Sequence, residues 1–402
     1  APVAGVAQWT LTGNPYPSAL DARDYIHDAQ NVNAITGTLY YWEQDLSVNS
    51  HYVEDYVGGY GTYTINAAGT VETWVAATFD TYNADGSLNT TGASSTSGKR
   101  AYRYIPIAQG FMVEGSVGTT GTAFLRNSHR DYVKQSAANS EFFTPLDSQS
   151  TDRTNNTNDV VITYQENGLS IVPESVMRFR LNIDINDLYT RQLVQTFTPE
   201  ATEGLDYGLD CKSPEGVASD AHWILGETAL VAQALEFDIE TRIPLSITIQ
   251  ESMNVRFRIL DIQNFDEDQS IYIHDKVNAL YIDLRYQNYD INLTEGEYND
   301  RFEITFTSDE DTLSTTDFKT ENFDIYQNNN AAQLTLLNPD NLDVQSVSLF
   351  DINGKQILNI KNLQQETRYT FPTKRFSDGV YLVNVNIRGA AAIQKKIIIK
   401  ND

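Results

Sequence analysis

The chain reads as an all-β protein built of three modules in a row, on three observations. Tyr and Phe are plentiful, 23 and 17 of 402 residues, and Asn, Thr and Ser fill the gaps between them. Apolar residues alternate with polar ones in short runs, the period of a strand with one buried face. Two polar stretches without that alternation, 144–159 and the acidic 309–322, read as linkers. They set the modules at 1–145, 158–308 and 322–402: a β-rich first module with one short helix, a β-sandwich of jelly-roll or Ig type, and a small Ig-like C-terminal β-sandwich.

In the first module, Ala19–Gln30 is the best helix candidate. Ser18 is placed to cap it, Asp21 and Asp24 favour its positive end, and Leu20, Tyr25 and Ile26 supply an apolar face. Strand runs follow at 37–42, 60–65 and 104–113. Tyr40, Trp42 and Tyr60 suit either the packing of a core or stacking on sugars, with core packing the expected use. In the second module Val176-Met177-Arg178-Phe179-Arg180-Leu181-Asn182-Ile183 alternates cleanly, with basic and apolar residues on opposite faces. Similar runs at 243–249, 255–259, 270–275 and 301–306 complete a sandwich signature.

The third module begins its pattern at Val347-Ser348-Leu349-Phe350. Asp351-Ile352-Asn353-Gly354-Lys355 follows, and Asn-Gly between two alternating runs is a strong hairpin signal. Ser377-Asp378-Gly379 leads into a second strand carrying Tyr381 and Val383, and Gly379 is expected at positive φ, where a β-carbon strains the backbone. The chain closes on Lys395-Lys396-Ile397-Ile398-Ile399-Lys400. Three β-branched residues in succession fit either the tail's own core or a strand covered by a partner.

This order of motifs, over residues 322–402, resembles the type A C-terminal sorting domain of the type IX secretion system of Bacteroidetes. The resemblance makes Asp351, Gly354, Lys355, Gly379, Tyr381, Lys395, Lys396, Ile397, Ile399 and Lys400 the sorting and partner-binding residues. It implies recognition by the translocon, binding to an outer-membrane β-barrel shuttle, and removal of the tail by a sortase-like cysteine peptidase. It also implies a secreted or cell-surface destination, with the chain associated with the outer membrane during export. The first module is similar to an uncharacterised β-rich module that precedes sorting domains in large flavobacterial surface proteins. The likeness rests on Trp9-x-Leu11-x-Gly13-Asn14-Pro15-Tyr16-Pro17-Ser18, Tyr40-Tyr41-Trp42, Pro106-x-x-Gln109-Gly110-Phe111-x-Val113 and Asn127-Ser128-x-Arg130. Asp311-Thr312-Leu313 matches a short O-glycosylation pattern of Bacteroidetes, so Thr312 is a candidate for modification.

Charge separates the tail from the rest. Residues 323–402 hold 9 Lys and Arg against 7 Asp and Glu, a net of +2, so the remainder of a chain with net charge −26 carries −28. A body this acidic repels nucleic acid and anionic membrane. Cys211 is the only cysteine, so no disulfide forms within the chain. No apolar run reaches the length of a membrane-spanning helix. The opening at Ala1-Pro2-Val3, without Met or signal peptide, is expected of a C-terminal portion or a trimmed product.

Chemistry is hard to find. His27, His51, His129, His222 and His274 are scattered, and neither a zinc-protease helix, a serine elbow nor a phosphate loop occurs. Asp206 and Asp210, four apart on a Gly-bearing loop with Glu203 nearby, are a candidate Ca²⁺ ligand set or else a turn whose carboxylates hold backbone amides. The expectation is therefore a protein without enzymatic activity, cofactor or bound metal, whose body serves as a stalk or display unit of an exported protein or adhesin. The alternative is a carbohydrate-binding module of a larger secreted enzyme.

Overall fold

In the computed structural model the described residues are 2–3, 8–48, 50–89, 98–116, 121–133, 144–145, 162–214, 216–308, 323–339, 341–352, 354–361, 363–387 and 390–401. Among them the architecture is almost wholly β, with one α-helix, Ala22–Ile26. The linker 309–322, with Thr312, lies outside the described residues, as does most of 144–159. The chain forms two compact units, residues 1–269 with 291–303 and residues 270–290 with 304–402.

The first unit starts from an antiparallel sheet in which the strands run in the order Trp9–Gly13, Gly110–Gly115, Ile35–Gln44, Val57–Ile65 and Glu72–Val75. Period-2 alternation puts Leu39, Tyr41, Tyr63, Ile65, Phe111 and Val113 on one face, where they pack with Leu20, Tyr25 and Ile26. Gly13 sits where a β-carbon would come 2.8 Å from the Gln109 carbonyl oxygen. Next to it Asn14 donates to the carbonyls of Ser18, Ile105 and Pro106 at 2.7, 3.1 and 3.2 Å, so the Gly13-Asn14 and Gln109-Gly110 motifs prove to be two sides of one junction.

The expected helix over 19–30 is shorter. Ala19–Asp21 is a strand paired on both sides, and the helix begins only at Ala22, capped by the Asp21 carboxylate, which accepts from the Arg23 amide. Ser18 instead accepts from Arg130 Nε at 2.9 Å. A buried bidentate contact from Arg103 to Asp21, 2.7 Å at its shortest, holds the cap in the interior. That tie extends the preceding residues, and helix propensity yields to it.

The second sheet of this unit runs Arg242–Ile249, Asp220–Leu225, Thr228–Leu235, Tyr189–Phe197, Met177–Ile185, Met253–Gln263. The neighbours in this order are antiparallel except Tyr189–Phe197 with Thr228–Leu235, which is parallel. On its apolar face Phe179 meets Phe197, Trp223 and Phe265 at 6.2 to 6.4 Å between ring centroids.

The break expected at 144–159 does not divide two cores. Ile162 and Tyr164 belong to the core of the first sheet, and Val71 packs with Val172, Val176, Ala201, Leu209 and Ala234. Tyr207 donates to the Ile26 carbonyl at 2.8 Å, and Lys212 pairs with Glu114 at 3.0 Å. A polar interval in sequence marks a domain boundary only when few contacts cross between the segments on either side of it.

In the second unit, Tyr272–Asp275 and Leu280–Asp283 form a hairpin. The remainder is a sandwich of two sheets, Asp324–Asn328, Gln333–Leu337, Arg368–Pro372 and Gln356–Lys361, Val344–Asp351, Gly379–Ile387, Ala390–Ile399. Among the described residues its core draws only on the tail: Ile325, Leu334, Leu336, Val347, Leu349, Val383, Val385, Ile397 and Ile399 are all in it.

Candidate functional site

The sorting motif, spread over fifty residues of sequence, converges at one end of the four-stranded sheet. Register places Asp351 beside Tyr381, Tyr381 beside Ile397, and Gly379 beside Ile399. Asp351 closes the hairpin: its carboxylate accepts from the Lys355 amide, and its carbonyl from the Gly354 amide, both at 3.0 Å. Gly354 has φ +77°, the left-handed region the turn requires; Asn353 is outside the described residues. Tyr381 is buried, and its hydroxyl donates to the Ser377 carbonyl at 2.8 Å. This ring and Phe376 plug the end of the sandwich.

Gly379 departs from expectation. It opens its strand outside the left-handed region, and a β-carbon there would meet only the Tyr381 ring at 3.7 Å. The Ser-Asp-Gly turn is held instead by Asp378, whose carboxylate accepts from the Asn401 amide at 2.8 Å.

The terminal strand is the edge of its sheet and is divided between its two faces. Ile397 and Ile399 point into the tail's core, whereas Ile398 is 63% exposed. Lys395, Lys396 and Lys400 lie at the surface. Lys395 Nζ lies 2.5 Å from Asp324 and holds that carboxyl below its usual range. Asp324, the first residue of the domain's first strand, is a site residue that sequence reading missed; only its opposite charge at the far end of the tail would have suggested it. The Lys400 amide donates to Asn329 at 3.1 Å, and Asn401 donates to the Phe376 carbonyl at 2.6 Å, so the end of the chain is tied down.

The body's buried polar groups do structural work. Arg178 and Arg180, expected on the polar face of their strand, are fully buried. Arg178 donates to the Glu72 carbonyl at 2.8 Å and to Thr73 Oγ1 at 3.0 Å, and Arg180 to the Trp74 carbonyl at 2.7 Å. They stitch the second sheet to the edge strand of the first. Burial brings the Arg178 pKa down to about 10. Glu72 accepts from Tyr63 and Tyr164 at 3.0 and 3.1 Å and is pushed up by burial. Cys211 is buried and its thiol pushed up to about 12 by that burial, which disfavours the thiolate.

Asp206 and Asp210 serve backbone amides. Asp206 accepts from the Thr202 amide, and Asp210 from the amides of Asp206 and Ala234, at 2.6 to 2.7 Å. Burial pushes Asp210 up to about 7. Among the described residues no group of three His, Cys, Asp or Glu side chains is placed to hold a metal. Tyr40, Trp42 and Tyr60 join Trp9 in a cluster whose rings meet at 41° to 66°. Tyr40 is completely buried. Rings tilted onto one another offer no coplanar platform to a sugar.

Comparison with known proteins divides the chain as its chemistry does. Residues 3–306 match the model of a family described as Domain of unknown function (DUF8693). Residues 324–400 match the Secretion system C-terminal sorting domain. The latter makes the chain a type IX secretion cargo, exported to the cell surface or beyond. No curated protein matches the chain. Among solved structures, Tp47, the 47-kilodalton lipoprotein of Treponema pallidum, is similar over 98% of this chain and 92% of its own, at 11% identity. Its TM-score of 0.18 is too low to carry any argument. Among the described residues no helix is long and apolar enough to cross a membrane.

Proposed function

The chain belongs to the DUF8693 family over most of its length, and from that premise we propose that it is a non-enzymatic display protein of a bacterium of the Bacteroidetes. Its tail is the address and its body the cargo. The tail docks on an outer-membrane β-barrel shuttle of the type IX translocon, and a sortase-like cysteine peptidase then removes it. The observation that carries this reading is a tail with a core entirely its own, which brings Asp351, Lys355, Tyr381 and the terminal strand to one end of one sheet. Docking uses the outer face and free edge of that strand, with Lys396 and Ile398 pointing outward. Lys395 pairs with Asp324 and so contributes less.

The test is a fusion of residues 309–402 to a neutral reporter behind an export signal, in cells competent for type IX secretion. Surface delivery of the reporter is expected. A folded fusion retained in the periplasm refutes the address. Because Ile397 and Ile399 belong to the core, the docking face is probed with Lys396→Glu and Ile398→Asp rather than by truncation. Each is expected to reduce co-purification with the barrel while the tail stays folded.

A further inference from the structure

The helix Ala22–Ile26 and the 3₁₀ turn Asn127–His129 frame a cleft of about 280 Å³ in the body, walled by Arg23, Asp24, His27, Asp28, Ser128 and His129. The helix supplies Asp24, and the chain leaving its C-terminus brings His27 and Asp28 to the same cleft. Some of these groups are fully engaged. Asp28 Oδ2 accepts from Arg126 Nε at 2.6 Å and lies 3.2 Å from His129 Nε2, and its Oδ1 accepts from the Gln30 amide at 3.0 Å. His129 Nδ1 accepts from the Arg126 amide at 3.3 Å, which places the His129 proton on Nε2.

The other groups keep capacity to spare. His27 Nε2 lies 2.8 Å from the Ile65 carbonyl, which can only accept, so Nε2 carries the proton and Nδ1 offers a lone pair. Burial lowers the His27 pKa and keeps the ring neutral. Arg23 Nε is anchored on the Ala67 carbonyl at 2.8 Å, but its Nη1 stops 3.7 Å from Asp24 Oδ1, beyond hydrogen-bond reach. Partial burial and then the nearby Asp21 carboxylate raise the Asp24 pKa, against the lowering pull of Arg23.

We propose that this cleft binds a sugar through vicinal hydroxyls, with the Asp24 carboxylate and His27 Nδ1 as acceptors and Arg23 and the Ser128 hydroxyl as donors. A hydroxyl donates one hydrogen bond and accepts others, so a diol can hydrogen-bond both a carboxylate and a guanidinium whose own ion pair, at 3.7 Å, is too long for a hydrogen bond. Inorganic phosphate meets Asp24 and Asp28 with the same sign of charge. A bare metal ion finds no ligand set among the described residues. An amino acid could set its ammonium on Asp24 and its carboxylate on Arg23 but would leave His27 Nδ1 and the Ser128 hydroxyl unused, whereas a sugar carries enough hydroxyls for all four. The site does not depend on how the tail is sorted.

With 5 His in the chain, the His27 ring proton on Cε1 can be followed by NMR in the full-length protein. The probes are glucose, galactose, mannose, xylose and N-acetylglucosamine, with glycine and inorganic phosphate as rivals. At least one sugar is expected to shift the His27 signal saturably. Loss of a charge-assisted hydrogen bond in Asp24→Asn weakens that binding by about tenfold or more, while Trp42→Phe leaves it unchanged. Asp24 is half exposed, so the variant is expected to fold; Ser128→Ala, at an exposed position, is the second variant and is expected to weaken binding severalfold. The proposal is overturned if no sugar shifts the signal, if glycine or phosphate does so in place of sugars, or if both variants bind at full strength.

Discussion

Two strands of this chain carry the same kind of sequence and meet opposite ends. Met177–Ile185 sets Arg178 and Arg180 against Phe179, Leu181 and Ile183; Ala390–Ile399 sets Lys396 against Ile397 and Ile399. In both, the apolar side faces a core. In the tail the basic side meets water, whereas in the body it is covered by Glu72–Val75 and no part of either guanidinium side chain is exposed. Alternation assigns residues to faces; a neighbour distant in sequence decides whether the second face is wet. The choice of cation is the one local hint. A guanidinium has five donors in a plane and can satisfy backbone carbonyls when buried, while an ammonium is strongly hydrated and stays outside.

The comparison breaks first, if it breaks, on paired substitutions. Arg178→Ala strands the Glu72 carbonyl and Thr73 and leaves a void, at an expected cost of about 3–5 kcal/mol. Lys396→Ala is expected to stay within about 0.5 kcal/mol. Urea unfolding followed by tryptophan fluorescence for the body, and by hydrogen exchange for the tail, reads both. Equal costs would mean that the covering layer is not what distinguishes the strands.

The body also differs from the tail in its response to pH. Burial pushes the Asp210 carboxyl from its ordinary 3.8 up to about 7 in the folded protein, so the folded state binds the extra proton between these values. Its contribution is therefore fully present below about pH 4 and is lost as pH rises through 7, by up to about 4 kcal/mol. Other buried groups titrate nearby, so the informative quantity is the difference between wild type and Asp210→Asn. A smaller slope of stability against pH between 4 and 7 is expected in the variant, with the tail's exchange rates showing no change in pH dependence.

Within the tail, Ile399→Ala is expected to cost about 2–4 kcal/mol and Ile398→Ala much less, as measured by tail-specific hydrogen exchange. Similar costs would deny the division of the terminal strand into a core face and an outer face. The smallest effect separates the two motif glycines. Gly354→Ala, at positive φ, is expected to cost about 1 kcal/mol, and Gly379→Ala less than half of that.

The tail was legible because its structure is local. A hairpin turn, two alternating runs and a basic terminal strand are each set by neighbours within a few residues, and Gly354 and Asp351 do what their positions announce. Gly379 misled because Ser-Asp-Gly also precedes strands that begin without a left-handed residue. The body was legible as strands and illegible as an assembly. Its runs at 37–42, 60–65, 176–183 and 243–249 all became strands, yet nothing in them revealed that 72–75 lies over 178–180. The helix was overestimated because the tie between Asp21 and Arg103 spans 82 residues. The cleft at Asp24 and His27 was hidden for the same reason: residues 23–28 bring one wall of it, but Ser128 and His129 arrive from about a hundred residues downstream.

The contacts that cross between the body's two halves have a kinetic consequence. Arg178 reaches back 106 residues to Glu72, and Tyr207 reaches back 181 to Ile26. Contacts of that separation bring high contact order and late loop closure, the condition for slow folding through exposed intermediates. A ribosome or a translocon that had delivered only the first 145 residues would hold a sheet lacking the residues that cover its edge. The sorting tail has a shorter wait: its longest ties, Lys395 to Asp324 and Lys400 to Asn329, span 71 residues and lie within its own domain. A fragment ending near residue 145 should therefore be recovered as aggregate, whereas one ending past residue 308 should fold.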